Sequence, residues 1–240
     1  PPGRGTETKS MTYKRPDEAV RETVASGRNR VLPDAPDIVR DGWHRQGNEC
    51  NVTLKPNHEA GTDRANEEVD AALGHLLDTI GEAVTDKRTG PTYARAHYAG
   101  ADPEIAASLA RRDDLADLPP EDVPDPVVET FDRVDVAFYE ADAAEISSLE
   151  LDKAAGVEAA LSVLGVEDPF VLVMGDSKTD LRVMEWVDDR DAGVSAAPEH
   201  ASEAVLDHVR ANGDLVFRRG AAAEMLRTAH VVNILAGLDS

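Results

Sequence analysis

Cysteine is all but missing. Cys50 stands alone among 240 residues, so no internal disulfide can form, and a reducing, cytoplasmic setting fits. No apolar run approaches the length of a membrane span, and the expectation is a protein without a signal peptide. An initiator methionine is lacking too: the sequence begins Pro-Pro-Gly-Arg-Gly, which leads to the expectation of a fragment. Histidines do not fall at metal-ligand spacing, and neither a GxSxG nucleophile elbow nor a Walker loop is present. Lysine is rare, and arginine supplies most of the positive charge. What abounds is negative charge, 47 acidic residues against 25 basic ones, for a formal net charge of -22. That balance disfavours nucleic acid and anionic membranes as partners. The same composition resembles the proteins of salt-loving microbes, with an acidic mesophilic protein as the alternative. It does not fix an oligomeric state.

The length suits one large domain or two small ones. Residues 1–15 are polar and read as a loose arm. A short helical pattern covers Pro16 to Val24, and Cys50 to Lys55 alternates as a half-buried strand. Thr62 or Asp63 can cap a helix whose apolar face is Val69, Leu73, Leu76, Leu77 and Ile80. Thr92 to Tyr98 reads as a strand and Pro103 to Ala110 as a short helix. Asp113 to Pro126 reads as a solvated acidic loop. Val134, Val136 and Phe138 alternate in one strand. Ile146, Leu149 and Leu151 mark a second, joined to the first through Glu140–Glu145 as an antiparallel pair. The character then changes. Lys153 to Leu164 is helical, with Val157, Ala160, Leu161 and Leu164 on one face and Gly165 as its stop. A strand at Gly193–Ala196, a helix at Ser202–Arg210, a strand at Leu215–Phe217 and a helix at Ala222–Leu238 follow. The reading is an α+β domain over 1–148 followed by an α/β domain with a parallel sheet over 149–240.

The densest signal is Phe170-Val-Leu-Val-Met-Gly-Asp-Ser-Lys-Thr-Asp180. An unbroken apolar run predicts a strand covered on both faces. Gly175 permits the turn, and a helix begins near Thr179. Asp176 and Asp180 then lie at a strand's carboxyl end, where open α/β sheets bind ligands, and form an oxygen-rich pair suited to magnesium. Acidic residues at a helix start also act as caps, and both readings stand. Lys153 opens a helix, a place the dipole disfavours. Since that helix feeds the apolar strand, its start belongs to the same edge as Asp176 and Asp180. One cation and two carboxylates converge as a metal-bound phosphate requires. Arg45, Asn51 and Lys55 flank a strand of the first domain and could touch a polar substrate or simply face water.

A Lys at a helix start, an apolar strand and GDxxxD resemble the haloacid dehalogenase-like phosphatases, in particular members with a large cap, among them sugar-phosphate phosphatases. The GDSKTD loop is similar to that of trehalose-phosphate phosphatases. The resemblance is specific over about residues 146–240 and loose over the first 145. It implies a partial Rossmann-like core over 149–240 with an α+β cap over 1–148. It implies Lys153 as the catalytic residue neutralising the phosphoryl group, and Ser177 and Lys153 as substrate-binding. Asp176 and Asp180 would be the Mg2+ ligands and a phosphorylated metabolite the substrate, with Asn51 and Lys55 as the cap's candidate contacts. The family's nucleophile motif, DxDx(T/V) after an apolar strand, has no counterpart. Asp189-Arg-Asp191 has the spacing but follows no such strand. The expectation is therefore a truncated phosphatase, inactive alone, that begins inside or just before the cap. The alternatives are a phospho-ligand-binding pseudo-enzyme and an acidic α/β interaction module.

Overall fold

The computed structural model describes residues 17–30, 34–36, 44–47, 50–57, 59 and 61–238, so the expected arm over 1–15 lies outside the described residues. The chain divides into two compact units, which part between Leu151 and Asp152. None of the described helices is long and apolar enough to cross a membrane.

The N-terminal unit is α+β. Its four-stranded antiparallel sheet runs in the order β1 (His44–Gly47), β2 (Asn51–Lys55), β4 (Ala143–Ser148), β3 (Val134–Tyr139). Register stacks Val52, Ile146 and Val136 across three strands and Leu54, Ala144 and Phe138 beside them, all on the buried face. Helices α1 (Glu18–Arg30) and α2 (Thr62–Val84) pack on that sheet. Leu73, Leu76, Leu77 and Ile80 of α2 are fully buried there. Each contributes about 1.5–3 kcal/mol through the apolar surface it removes from water.

Several expectations for this unit are corrected. Thr92 to Tyr98 is not a strand but part of α3 (Gly90–Ala101), with Ala94 and Tyr98 buried one turn apart. Its Gly90-Pro91 start is compatible with a helix opening, and the packing of Gly90 and Ala94 against α2 settles the helix over the apparent alternation. α4 (Pro103–Arg111) follows, capped by Asp102, whose side chain accepts from the Glu104 backbone N–H. The acidic loop ends early, because α5 (Asp125–Phe131) grows from Pro126 and buries Val127 and Phe131. The second hairpin strand stops at Ser148, and Leu149–Leu151 form a 3-10 turn. The turn before it spans only Glu140–Asp142, so β4 starts at Ala143. α1 runs six residues past the Val24 at which the sequence pattern fades.

The C-terminal unit is α/β. Strands β5 (Val171–Met174), β6 (Gly193–Pro198) and β7 (Leu215–Phe217) pair in parallel in that order. Helices α6 (Lys153–Leu164), α7 (Lys178–Asp189), α8 (Glu203–Ala211) and α9 (Ala222–Leu238) alternate with them. α7 packs on β5 and β6, α8 on β6 and β7, and α6 against α7. The core gathers Val173, Val183, Met184, Val187, Ala197, Val205 and Val209. Two expectations change here. β5 is a sheet edge among the described strands, with only Val173 buried and Phe170 71% exposed. Leu164 is exposed too, so the buried face of α6 centres on Ala154, with Val157 and Leu161 packed beside it.

Candidate functional site at the carboxyl edge of the parallel sheet

The site is built where β5 turns into α7. Ser177 is the N-cap of α7 and Asp180 the third residue of a capping box. Asp180 Oδ2 accepts from the backbone N–H of Asp176 at 3.0 Å and of Ser177 at 3.1 Å, and from Ser177 Oγ at 3.0 Å. Three donors on one oxygen fold the carboxylate back over the end of the strand. Gly175 makes room for it: a Cβ at that position would lie 2.3 Å from the Asp180 Cβ. The turn is anchored from both sides, by Gly175 N–H on the Ala196 carbonyl at 3.2 Å and by Ser202 N–H on the Asp176 carbonyl at 2.9 Å.

The other oxygen of Asp180 forms an ion pair with Lys153. Lys153 is the first residue of α6, whose N-cap Asp152 accepts from the Ala155 N–H at 2.8 Å. Its ammonium also donates to Thr179 Oγ1 at 3.2 Å, and that hydroxyl lies 3.0 Å from Ser177 Oγ. Lys153 is half exposed and Asp180 largely covered. Burial pushes the Asp180 carboxyl up. Hydrogen bonds from Lys153, Ser177 and Asp176 and the Lys153 charge outweigh it and hold the group below its ordinary range. Asp176 differs. Its backbone is engaged, but its exposed carboxylate has no hydrogen bond or ion pair among the described residues.

The structure thus brings together Lys153, Asp180, Ser177 and Thr179, with Asp176 one peptide away. Asn51 and Lys55 lie on β2 of the other unit. There Asn51 stands opposite Ser147 across the ladder and Lys55 pairs with Asp142 at 3.5 Å. Sequence reasoning gave Thr179 no role of its own, although its place before Asp180 marked it. Ser202 was also given no role: it stands at the N-cap position of α8 without a side-chain cap bond, and its Oγ is buried with no partner among the described residues. The sequence marks Ser202 only as a helix start, because its backbone bond to the Asp176 carbonyl depends on packing that no local pattern contains.

Magnesium is tested on the donor chemistry. Among the described residues no group of three or more His, Cys, Asp or Glu side chains is set to hold a metal ion. Magnesium does not need one: it keeps several waters and is bound through one or two carboxylates together with substrate phosphate. An unengaged carboxylate on an exposed turn, with a second one residue-turn away, fits that habit.

Comparison with known proteins finds a likeness over part of the chain. Residues 120–214 match the family model of haloacid dehalogenase-like hydrolase, a span that holds Lys153, Ser177, Asp176 and Asp180 but neither Asn51 nor Lys55. That segment is similar to the family over less than half of the chain. The match starts earlier and ends sooner than the span 146–240 on which the sequence resemblance rests. No curated protein matches the chain. A crystal structure of a haloacid dehalogenase-like hydrolase from Bacteroides thetaiotaomicron is similar over 53% of this chain, at 17% identity and a TM-score of 0.31. The matched region spans 55% of that protein's length.

Proposed function

We propose that the protein is a magnesium-dependent phosphatase acting on a small phosphorylated metabolite, a sugar phosphate by the family resemblance. The observation that carries the proposal is the Lys153–Asp180 pair held beside the unpartnered carboxylate of Asp176 at the carboxyl edge of a parallel sheet. Asp176 is the direct metal ligand. Asp180 reaches the ion only by surrendering a partner, so its main work is to hold Lys153. The Lys153 ammonium neutralises the phosphoryl oxygens, and the Ser177 hydroxyl lies within reach of the same group. Bound magnesium would supply Lewis-acid polarisation of the phosphoryl group. Asn51 and Lys55 stand as candidates for the polar remainder of the substrate.

Covalent transfer needs a nucleophile, and each of these residues already has another task. The DxDx(T/V) sequence that would provide one does not close an apolar strand anywhere in residues 1–240. Turnover is therefore expected only from a chain that carries such a sequence, while residues 1–240 bind phosphate and metal. The absence of the motif also favours a second reading, a protein that binds a phosphorylated ligand without turning it over.

Calorimetric titration of magnesium into the wild type and Asp176→Asn is the test. Binding should weaken at least about tenfold in the variant, a difference of about 1.4 kcal/mol; equal affinities would sink the site. Phosphate release from a panel of sugar phosphates then separates the readings. Asp176-dependent turnover by residues 1–240 would place the nucleophile within them.

A further inference from the structure

The candidate site sits at the end of a strand whose outer side is open. Val171 N–H donates to the Ala192 carbonyl at 2.7 Å and Gly175 N–H to the Ala196 carbonyl at 3.2 Å. The odd-numbered amides of β5 therefore face β6, and those of Leu172 and Met174 face the other way. No strand among the described ones pairs with them. Apolar surface accompanies this edge. Where α6 feeds β5, Leu164 is 66% exposed and Phe170 71%, with Val166 also exposed between them in sequence. Two exposed carboxylates, Glu167 and Asp168, fall in the same stretch. An open row of N–H groups beside exposed apolar side chains is a template for a further strand.

The chain holds a segment that suits it. The described residues begin at Asp17, after 16 residues with four basic side chains, Arg4, Lys9, Lys14 and Arg15, against one acidic, Glu7. In a chain of 47 acidic and 25 basic residues, that balance is the reverse of the rest. Thr6 to Lys14 contains neither glycine nor proline. At the two-residue period of a strand, Thr6, Thr8, Ser10 and Thr12 fall on one face and Lys9, Met11 and Tyr13 on the other. Threonine and tyrosine favour strands, while so polar a segment has no core of its own to bury. It also starts from a suitable place. Asp17 N–H donates to Glu150 Oε2 at 2.7 Å, and Glu150 stands only three residues before Lys153, at most about 11 Å along the chain. The segment is thus tethered near the carboxyl edge, where β5 ends. Sixteen residues span up to about 50 Å when extended, several times the length of about 13 Å that β5 offers.

We propose that residues 6–14 add to the outer side of β5 as a further strand of the parallel sheet. The segment runs toward its tether, from the amino to the carboxyl edge, and so lies parallel to β5 as β6 does. Its carbonyls accept the N–H groups of Leu172 and Met174. Met11 and Tyr13 pack beside the apolar side chains of β5. Arg4 and Lys9, farther from the tether, lie toward Glu167 and Asp168 at the start of the strand. Charge favours this occupant over a second copy of the chain, because two acidic bodies repel each other and a basic segment is drawn in.

Hydrogen exchange of the full chain, resolved to single amides, is the test. In the wild type, the β5-facing amides between Lys9 and Tyr13 and those of Leu172 and Met174 should exchange at least about tenfold more slowly than in free peptide. Met11→Pro/Thr12→Pro removes a strand donor whichever way the segment faces, and should speed both sets by that factor. Arg4→Glu/Lys9→Glu should speed them several-fold. Met184 and Val187, buried in α7, should keep their protection in both variants. If the prolines cost them that protection, the charge variant, which leaves every backbone donor in place, decides. Free-peptide exchange between Lys9 and Tyr13 in the wild type would overturn the proposal, as would protection of Leu172 and Met174 that survives the double proline. Surviving protection that fades on dilution, with a dissociating dimer in sedimentation, would make a second copy the occupant instead. Unchanged exchange in Arg4→Glu/Lys9→Glu would overturn the part given to Glu167 and Asp168.

Discussion

Asp180 serves two masters, and the two can be separated by substitution. As a cap it needs an acceptor oxygen, which asparagine also offers; as the partner of Lys153 it needs charge. Asp180→Ala should therefore cost about 1–2 kcal/mol in urea unfolding, the range for a lost helix cap. Asp180→Asn should cost less than about 1 kcal/mol, because an ion pair with a half-exposed lysine is weak. The pH dependence has a definite sign. The carboxyl is held below its ordinary 3.8, so its contribution is present above that value and is lost as pH falls through the folded-state value. The gap between wild type and Asp180→Asn should hold at neutral pH and close below about pH 4. Asp214 carries the opposite sign. Burial pushes its carboxyl up and the nearby Asp188 adds to the shift, against the Ser195 N–H and His208. Its Oδ2 is buried without a partner. The charged form thus opposes folding, and Asp214→Asn should raise the unfolding midpoint at neutral pH. That advantage should shrink as pH falls toward 3.8, where Asp214 takes up its proton anyway.

Elements meet in this protein where side chains are smallest. α2 and α3 approach through Gly81 and Gly90, and a Cβ on Gly81 would lie 2.2 Å from the Gly90 carbonyl oxygen. Both colliding groups are fixed by backbone, so neither helix can yield without moving as a whole. Gly81→Ala is expected to lower stability by about 1–3 kcal/mol, read from the urea midpoint. A midpoint equal to or above wild type would show that the helices slide apart freely. The same pair of helices shows where sequence is legible. α2 announces itself through a long 3.6-residue stripe, and α6 through α9 through short stripes between apolar strands. α3 does not, because Thr92 to Tyr98 alternates as a strand would. What decides its state is the contact of Gly90 with Gly81 and the burial of Ala94 against α2, which no local pattern contains. α5 hides similarly behind Pro124 and Pro126, read as loop although Pro126 occupies a first-turn helix position. At the candidate site, spacing led to Lys153 and Asp180 because helix starts and strand ends lie close to one another in sequence. The Ser202–Asp176 bond joins segments 26 residues apart through α7 and β6, and emerges only from the packed sheet. β5 failed in the reverse direction: its apolar run predicts cover on two faces, but burial depends on neighbours that an apolar run cannot specify.

Charge acts on the whole molecule at once. The described ion pairs, such as Arg95–Asp78, Arg111–Asp70 and Arg64–Glu68, consume cations that are scarce to begin with. With 47 acidic and 25 basic residues, 22 negative charges would remain even if every cation were paired. Salt therefore pulls in two directions. It weakens exposed pairs, each worth about 0–1 kcal/mol, and it screens the repulsion among the surplus carboxylates. The second effect should win, because repulsion involves every surplus charge with every other, whereas pairs are few and local. At 0.1 M ionic strength the screening length is about 10 Å; at 1 M it is about 3 Å. Thermal melts in potassium chloride should thus show a rising midpoint between 0.1 and 1 M. The gain should flatten beyond that, since little repulsion survives to be screened. Sodium chloride should give the same curve, because screening does not distinguish the two cations. A midpoint that stays flat or falls over the first tenfold in salt would mean that ion pairs, not surplus charge, govern the stability of this fold. A rise specific to one cation would point instead to a bound ion.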